Sequence, residues 1–196
     1  MGKTTLIRTL LGHVKQREGA VRVAGEDMSR AAPHSIARRG IGYVPEGRGI
    51  FPNLTVRENL VMAARPAPDG KSTWTLERLL AIFPRLALRL AHPGAALSGG
   101  EQQMLSIGRA LMTHPRLVIL DEATEGLAPL VRAEIWKCLA ALKREGLTLV
   151  VIDKNIVPLT RLADRHFVVE KGRIAWHGDS AALAAAPEVL HRYVGV

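Results

Sequence analysis

The chain has 196 residues, 47% of them hydrophobic, which is enough for one ordinary domain with a sizeable core. Its 27 Lys and Arg against 18 Asp and Glu leave a charge of +9, which favours anionic partners, but the arginines are scattered rather than clustered with aromatics, so nucleic acid is not the expected one. The single cysteine excludes an internal disulfide, and no apolar run has the length of a bilayer span.

In chain order, the opening MGKTTLIRTLLG has the form of neither a secretory leader nor a myristoylation signal. It predicts a helix over residues 4–12 with Leu6, Leu10 and Leu11 on one side. AVRVA at 20–24 alternates and meets Gly25, which predicts an exposed antiparallel strand. IGYVPE at 41–46 reads as a short apolar strand ended by Pro45. Residues 53–97 are Leu-rich and helical in period, broken by RPAPDG and HPG, as in a small helical insert. LSGGEQQMLSIGRAL at 97–111 predicts a helix that buries Met104, Leu105, Ile107 and Leu111.

RLVIL at 116–120 and LTLVVI at 147–152 are continuous apolar runs, the pattern of parallel strands buried on both faces. Between them a helix runs from Pro129 to Gly146, with Val131, Ile135, Cys138, Leu139 and Leu142 on its apolar face. Strand, helix and strand make a βαβ crossover. HFVVEKGRIAWHG then reads as a hairpin turning at Lys171–Gly172, and the Ala-rich tail as helix. The fold class is α/β, with a mostly parallel sheet, added antiparallel strands and a small helical subdomain. Cys138 is expected as a small core residue, Trp136 as a surface or partly packed one, and His34, His92 and His114 as solvated loop residues without metal-ligand spacing.

Three motifs carry chemistry. Gly2-Lys3-Thr4-Thr5 matches the end of a phosphate loop, G-x-x-x-x-G-K-[ST], with Met1 in its last variable position. Lys3 can neutralise β- and γ-phosphates, the Thr4 hydroxyl can ligate Mg²⁺, and the helix start offers N–H groups to an anion. Asp121-Glu122 follows an apolar strand and so lies at the carboxyl end of a sheet, where open α/β folds bind ligands. Asp121 can hold Mg²⁺, and Glu122 can deprotonate the water that attacks a γ-phosphate. Ser98-Gly99-Gly100 opens a helix and makes a second anion site, with Gln102 in the first turn. One chain with two phosphate-reading helix starts makes geometric sense when two chains face each other head to tail and share each nucleotide.

LSGGEQQ closely resembles the signature motif of ABC-type ATPases, and it lies just upstream of VILDE, as the Walker B strand does there. GYVPEGRGIFPNLTVRENL, DEATEGLAPL and ADRHFVVEKGRIAWHGD resemble the ATPase subunits of branched-chain amino acid importers, the LivF-like type. The resemblance implies a P-loop core at 1–52 and 101–196, incomplete at its N-terminus, with a helical subdomain at 53–100. It implies ATP and Mg²⁺ as cofactors: Gly2, Lys3, Thr4, Thr5, Glu46, Ser98, Gly99, Gly100 and Gln102 toward nucleotide, and Thr4, Glu46 and Asp121 toward metal. Glu122 and Lys154 take the catalytic positions. The implied partners are a homologous ATPase subunit, two transmembrane permease subunits and, indirectly, an external amino-acid binding protein, at the cytoplasmic face of the cell membrane.

The sequence departs from the wider family at three places. Glu46 replaces the usual Q-loop Gln, and its charge should weaken nucleotide binding in the absence of metal. Lys154 stands where many relatives carry the switch His; it is a cation for the γ-phosphate or a solvated loop residue. Ala123-Thr124 replaces Pro-Ser. The family pattern also places a central strand and the loop's first turn before Gly2, so Met1 is expected to be an internal residue of a longer protein, with a truncated, inactive paralogue as the alternative. Importers of urea, amides or another amino acid, and non-transport ABC ATPases acting on DNA or ribosomes, are the rival assignments; the latter's long inserts have no room here.

Overall fold

The structure is a computed structural model that describes residues 2–15, 18–67, 70 and 73–193. Met1, expected to fill the phosphate loop's last variable position, lies outside the described residues. The elements in chain order are α1 Lys3–Leu10, β1 Arg22–Val23, β2 Glu26–Asp27, α2 Pro33–Ala37, β3 Ile41–Val44, α3 Val56–Val61, α4 Leu76–Ile82, α5 Pro84–Ala87, α6 Gly99–Leu111, β4 Leu117–Asp121, α7 Pro129–Arg144, β5 Thr148–Ile152, α8 Ile156–Leu162, β6 His166–Glu170, β7 Arg173–Gly178, α9 Ser180–Ala184 and α10 Pro187–Tyr193. They divide into two compact units, 40–152 and 1–39 with 153–196.

In the unit 40–152, β3, β4 and β5 form a parallel sheet in that order, with Val44 opposite Leu120 and Leu120 opposite Val151. The apolar run at 117–120 makes β4 the natural centre: Val118, Ile119 and Leu120 are buried on both faces. α6 and α7 turn the expected apolar stripes inward, with Leu105, Ile107, Leu111, Ile135 and Leu139 fully buried. Each such Leu or Ile contributes about 2 kcal/mol of burial. The Leu-rich stretch folds as the short helices α3, α4 and α5, and Thr55 and Glu58 form a reciprocal cap on α3.

Four expectations change. The run at 147–152 is not buried on both faces: exposure alternates along β5 and Val150 is 39% exposed. β5 pairs only with β4 among the described strands, so one of its edges has no neighbouring strand to cover it. Trp136 is buried, because α7 turns it inward with Ile135 and Leu139. His114 is buried too; its backbone is left-handed, φ 52°, and its Nε2 accepts from the Trp74 N–H at 3.2 Å. His34 lies in α2 and not in a loop, although it is exposed, as is His92. Cys138 is a core residue as expected, and burial, with Glu145 second, pushes its thiol up to about 12.

In the other unit, β1 and β2 are an antiparallel ladder around Ala24 and Gly25, and β6 and β7 a longer one around Lys171 and Gly172. Both central residues of each turn have positive φ, as the tightest right-twisted hairpins require. The strand expected at 20–24 therefore shortens to Arg22–Val23, because Ala24 already belongs to the turn.

Candidate functional site

β4 ends in Asp121, which is 1% exposed. Its Oδ2 accepts a long hydrogen bond from the Tyr43 hydroxyl at 3.4 Å, while its Oδ1 is buried with no hydrogen-bond partner among the described residues. A carboxylate oxygen left so in a protein interior is costly unless a cation meets it. Asp121 thus fits a hard divalent ion such as Mg²⁺. Glu122 follows at φ 52°, a left-handed backbone for a residue with a side chain, and its N–H donates to Ile152 O at 2.8 Å. Strain of this kind persists where surrounding structure enforces it, and it concentrates at functional positions.

Glu122 meets Glu46, carried on the turn after β3, and Glu125: an oxygen of each of the three carboxylates lies within 4.8 Å of the others. Like charges so close favour a bound cation or proton. Glu46 and Glu122 were expected at the site. Glu125 was not; its signal was its place in DEATEGL, three residues beyond Glu122.

The second expected anion site lies at the start of α6. Ser98 caps the helix: its Oγ accepts from the Glu101 N–H at 3.3 Å, and the Glu101 carboxylate accepts from the Ser98 N–H at 2.8 Å. Partial burial works against the charged form of Glu101. The hydrogen bonds from Ser98 and the nearby Arg89 and Arg85 prevail, holding its carboxyl below the usual range. Gly100 is a packing requirement as well as a motif residue, since a Cβ there would lie 2.5 Å from Val131 Cγ1 of α7. Gln102 has both ends of its amide engaged within the chain: Oε1 accepts from Arg48 Nη1 at 2.9 Å and Nε2 donates to Gly94 O at 3.2 Å.

In the other unit, Gly2 is the residue before α1, at φ 108°. A side chain there would press within 3.1 Å of the Gly172 backbone, so only glycine fits. Lys3, Thr4 and Thr5 form the first turn of α1, which contains no acidic residue. Lys154 is exposed in the turn before α8, where Asp153 Oδ1 accepts from the Asn155 N–H at 2.9 Å and from Asn155 Nδ2 at 2.7 Å.

The family model described as ABC transporter matches residues 1–125. The chain is 41% identical over 194 residues to the high-affinity branched-chain amino acid transport ATP-binding protein BraG of Pseudomonas aeruginosa, covering 99% of this chain and 83% of that protein. It is 30% identical over 183 residues to a probable branched-chain amino acid transport ATP-binding protein LivF of Archaeoglobus fulgidus, covering 93% and 78%. It is 29% identical over 196 residues to the lipopolysaccharide export system ATP-binding protein LptB of Escherichia coli K12, covering 99% and 81%. A nucleotide-free ATP-binding cassette of an ABC transporter superposes with a TM-score of 0.79 at 26% identity, covering 100% of this chain and 84% of that one. A cassette solved in its ADP conformation gives 0.77 at 26% identity, with the same coverage.

Proposed function

The chain belongs to the ABC transporter family, and from that premise we propose that it is the ATP-binding and ATP-hydrolysing subunit of an importer that takes up branched-chain amino acids. The observation that carries the ATPase part is Asp121, a buried carboxylate with one unpartnered oxygen, next to the strained Glu122 at the carboxyl end of the central strand. The importer part rests on 41% identity to BraG, against 29–32% to the exporter subunit LptB.

Lys3 and the N–H groups at the start of α1 neutralise the β- and γ-phosphates of ATP. Thr4, Asp121 and Glu46 are the residues that would hold Mg²⁺, which would supply positive charge against the charge that develops on the transferred phosphoryl group. Glu122 orients the attacking water and accepts its proton at a carboxylate oxygen. Ser98, Gly99 and Gly100 contact the γ-phosphate held by a facing ATPase subunit, either a second copy or a homologue. Lys154 adds a cation where a switch His would act. No helix among the described residues is long and apolar enough to cross a membrane. Coupling to transport would run through separate permease subunits, with this chain peripheral at the cytoplasmic face. Core segments 1–52 and 101–196 bind nucleotide, and the helical subdomain 53–100 carries the signature toward the facing subunit.

The test is reconstitution with the permease subunits, partner ATPase and binding protein in proteoliposomes. ATP-dependent uptake of labelled leucine, abolished by Glu122→Gln, is expected. Turnover stimulated by urea or amides through their own binding proteins, and not by leucine, would overturn the cargo. The absence of turnover with every cargo would overturn the enzyme.

A further inference from the structure

Arg48 occupies an unusual position. It belongs to the turn Pro45–Gly49 that follows β3, closed by Arg48 N–H to Pro45 O at 3.1 Å and Gly49 N–H to Gly47 O at 2.7 Å. Its φ is 63°, a conformation glycine would adopt at lower cost. The turn sends the Arg48 guanidinium onto the first residues of α6. Nη1 donates to Gln102 Oε1 at 2.9 Å, and a Cβ on Gly99 would come within 2.9 Å of Nη2 and 3.3 Å of Cζ. Gly99 therefore leaves room for the guanidinium at the helix start. At the far end of the same helix the relation is reversed: Arg109 Nη1 donates to Gly49 O, and its Cζ stands 4.6 Å from the Phe51 ring centroid.

This places a cation against the positive end of a helix dipole, an arrangement that is unfavourable by itself. The one acidic group in the first turn, Glu101, is engaged with Ser98 and already has Arg89 and Arg85 around it. Arg85 is itself paired with Glu134 at 2.9 Å, so Arg48, Arg85 and Arg89 stand against Glu101 and Glu134 around Ser98-Gly99-Gly100, and positive charge exceeds negative by one. The guanidinium has five N–H donors, of which Gln102 takes one, and an incoming phosphate would convert the local repulsion into charge-assisted hydrogen bonds.

We propose that Arg48 is a phosphate-contacting residue of the signature site, engaging the terminal phosphate of ATP presented by a facing subunit, with Gln102 and Gly99 fixing its guanidinium for that contact. This rests on the ATP-sandwich reading above. It adds to the signature a charged ligand delivered by the turn that also carries Glu46, so one turn reports to both carboxylates and signature.

The test measures ATP-driven dimerisation of the full chain by analytical ultracentrifugation in a Glu122→Gln background, with Mg·ATP and Mg·ADP as probes. The parent must dimerise with ATP; if it stays monomeric, the sandwich reading itself fails. Given a dimer, Arg48→Ala should raise the ATP concentration needed by about tenfold, the scale of one charged hydrogen bond. Binding of a fluorescent ATP analogue to the monomer should stay unchanged. Arg48→Lys, which keeps the charge but not the planar fork, should recover part of the loss, and added salt should narrow the gap between parent and Arg48→Ala. Dimerisation of Arg48→Ala at the parent's ATP concentration would overturn the inference. So would an Arg48→Lys variant as impaired as Arg48→Ala, because that pattern marks a packing role.

Discussion

The Tyr43 hydroxyl on β3 reaches Asp121 Oδ2 on β4 at 3.4 Å, two residues beyond Tyr43's own register partner, Ile119. The parallel pairing of the two strands thus sets where the metal-fitting carboxylate points. A bond of that length is weak, so it orients more than it stabilises. Tyr43→Phe should leave folding stability within about 1 kcal/mol of the parent and raise the Mg²⁺ concentration needed for half-maximal ATP turnover by about threefold. A magnesium titration of steady-state turnover, paired with a urea melt, checks both numbers.

Glu122 combines a left-handed backbone with two neighbouring carboxylates, and both features oppose folding. Glu122→Gly relieves each. Turnover should fall by at least about 100-fold, the usual share of a general base, while stability holds or rises by up to about 1 kcal/mol. Thermal unfolding beside a phosphate-release assay would show the trade. A marked loss of stability would mean that the carboxylate serves the fold instead.

Gly100 lets α6 approach α7, and its missing Cβ would sit 2.5 Å from Val131 Cγ1. Gly100→Ala gains helix propensity of about 1 kcal/mol, yet the overlap with a β-branched side chain outweighs it, for a net loss of about 1–2 kcal/mol. Val131→Ala opens the space, so the double variant should regain most of that loss. Denaturant midpoints of the four proteins in this cycle decide it.

His166 ties three elements together: Ser180 Oγ donates to Thr160 O at 2.8 Å or Ala163 O at 3.2 Å, and His166 Nε2 lies 2.8 Å from that oxygen. Since the serine proton is used on a carbonyl, Nε2 carries the hydrogen and donates. Burial lowers the His166 pKa from its ordinary 6.5, with Asp179 opposing. The unfolded chain then binds the proton more readily than the folded one. This contribution is present above about pH 6.5 and is lost as pH falls from there through the folded value. Urea unfolding at pH 7.5 and pH 5.5 should show less acid sensitivity in His166→Gln than in the parent, and equal sensitivity would remove His166 as the cause.

Much of the molecule is legible without coordinates because its signals are local. VILDE is an apolar run with two acids at its end, and SGGE is a helix start with its own reciprocal cap. KG between two alternating strands is a hairpin. In each case the residues that determine the feature are neighbours in the chain, so spacing and backbone preference suffice.

The rest depends on which surfaces meet. Trp136 and His114 have the local appearance of surface residues, and their burial follows from helices and loops that pack over them. β5 has the composition of an interior strand, and only its place at the end of the described sheet leaves Val150 half-covered. Arg48 and Gln102 are 54 positions apart, as are no two residues that periodicity can compare. Their pairing, like the convergence of Glu46, Glu122 and Glu125, arises where loops are carried to one place by strands in register. The elements and the chemical groups they carry follow from neighbours along the chain, because backbone preference and apolar spacing act over a few residues. Which of those groups share a site follows from packing, since burial and contact between distant segments depend on how the elements meet.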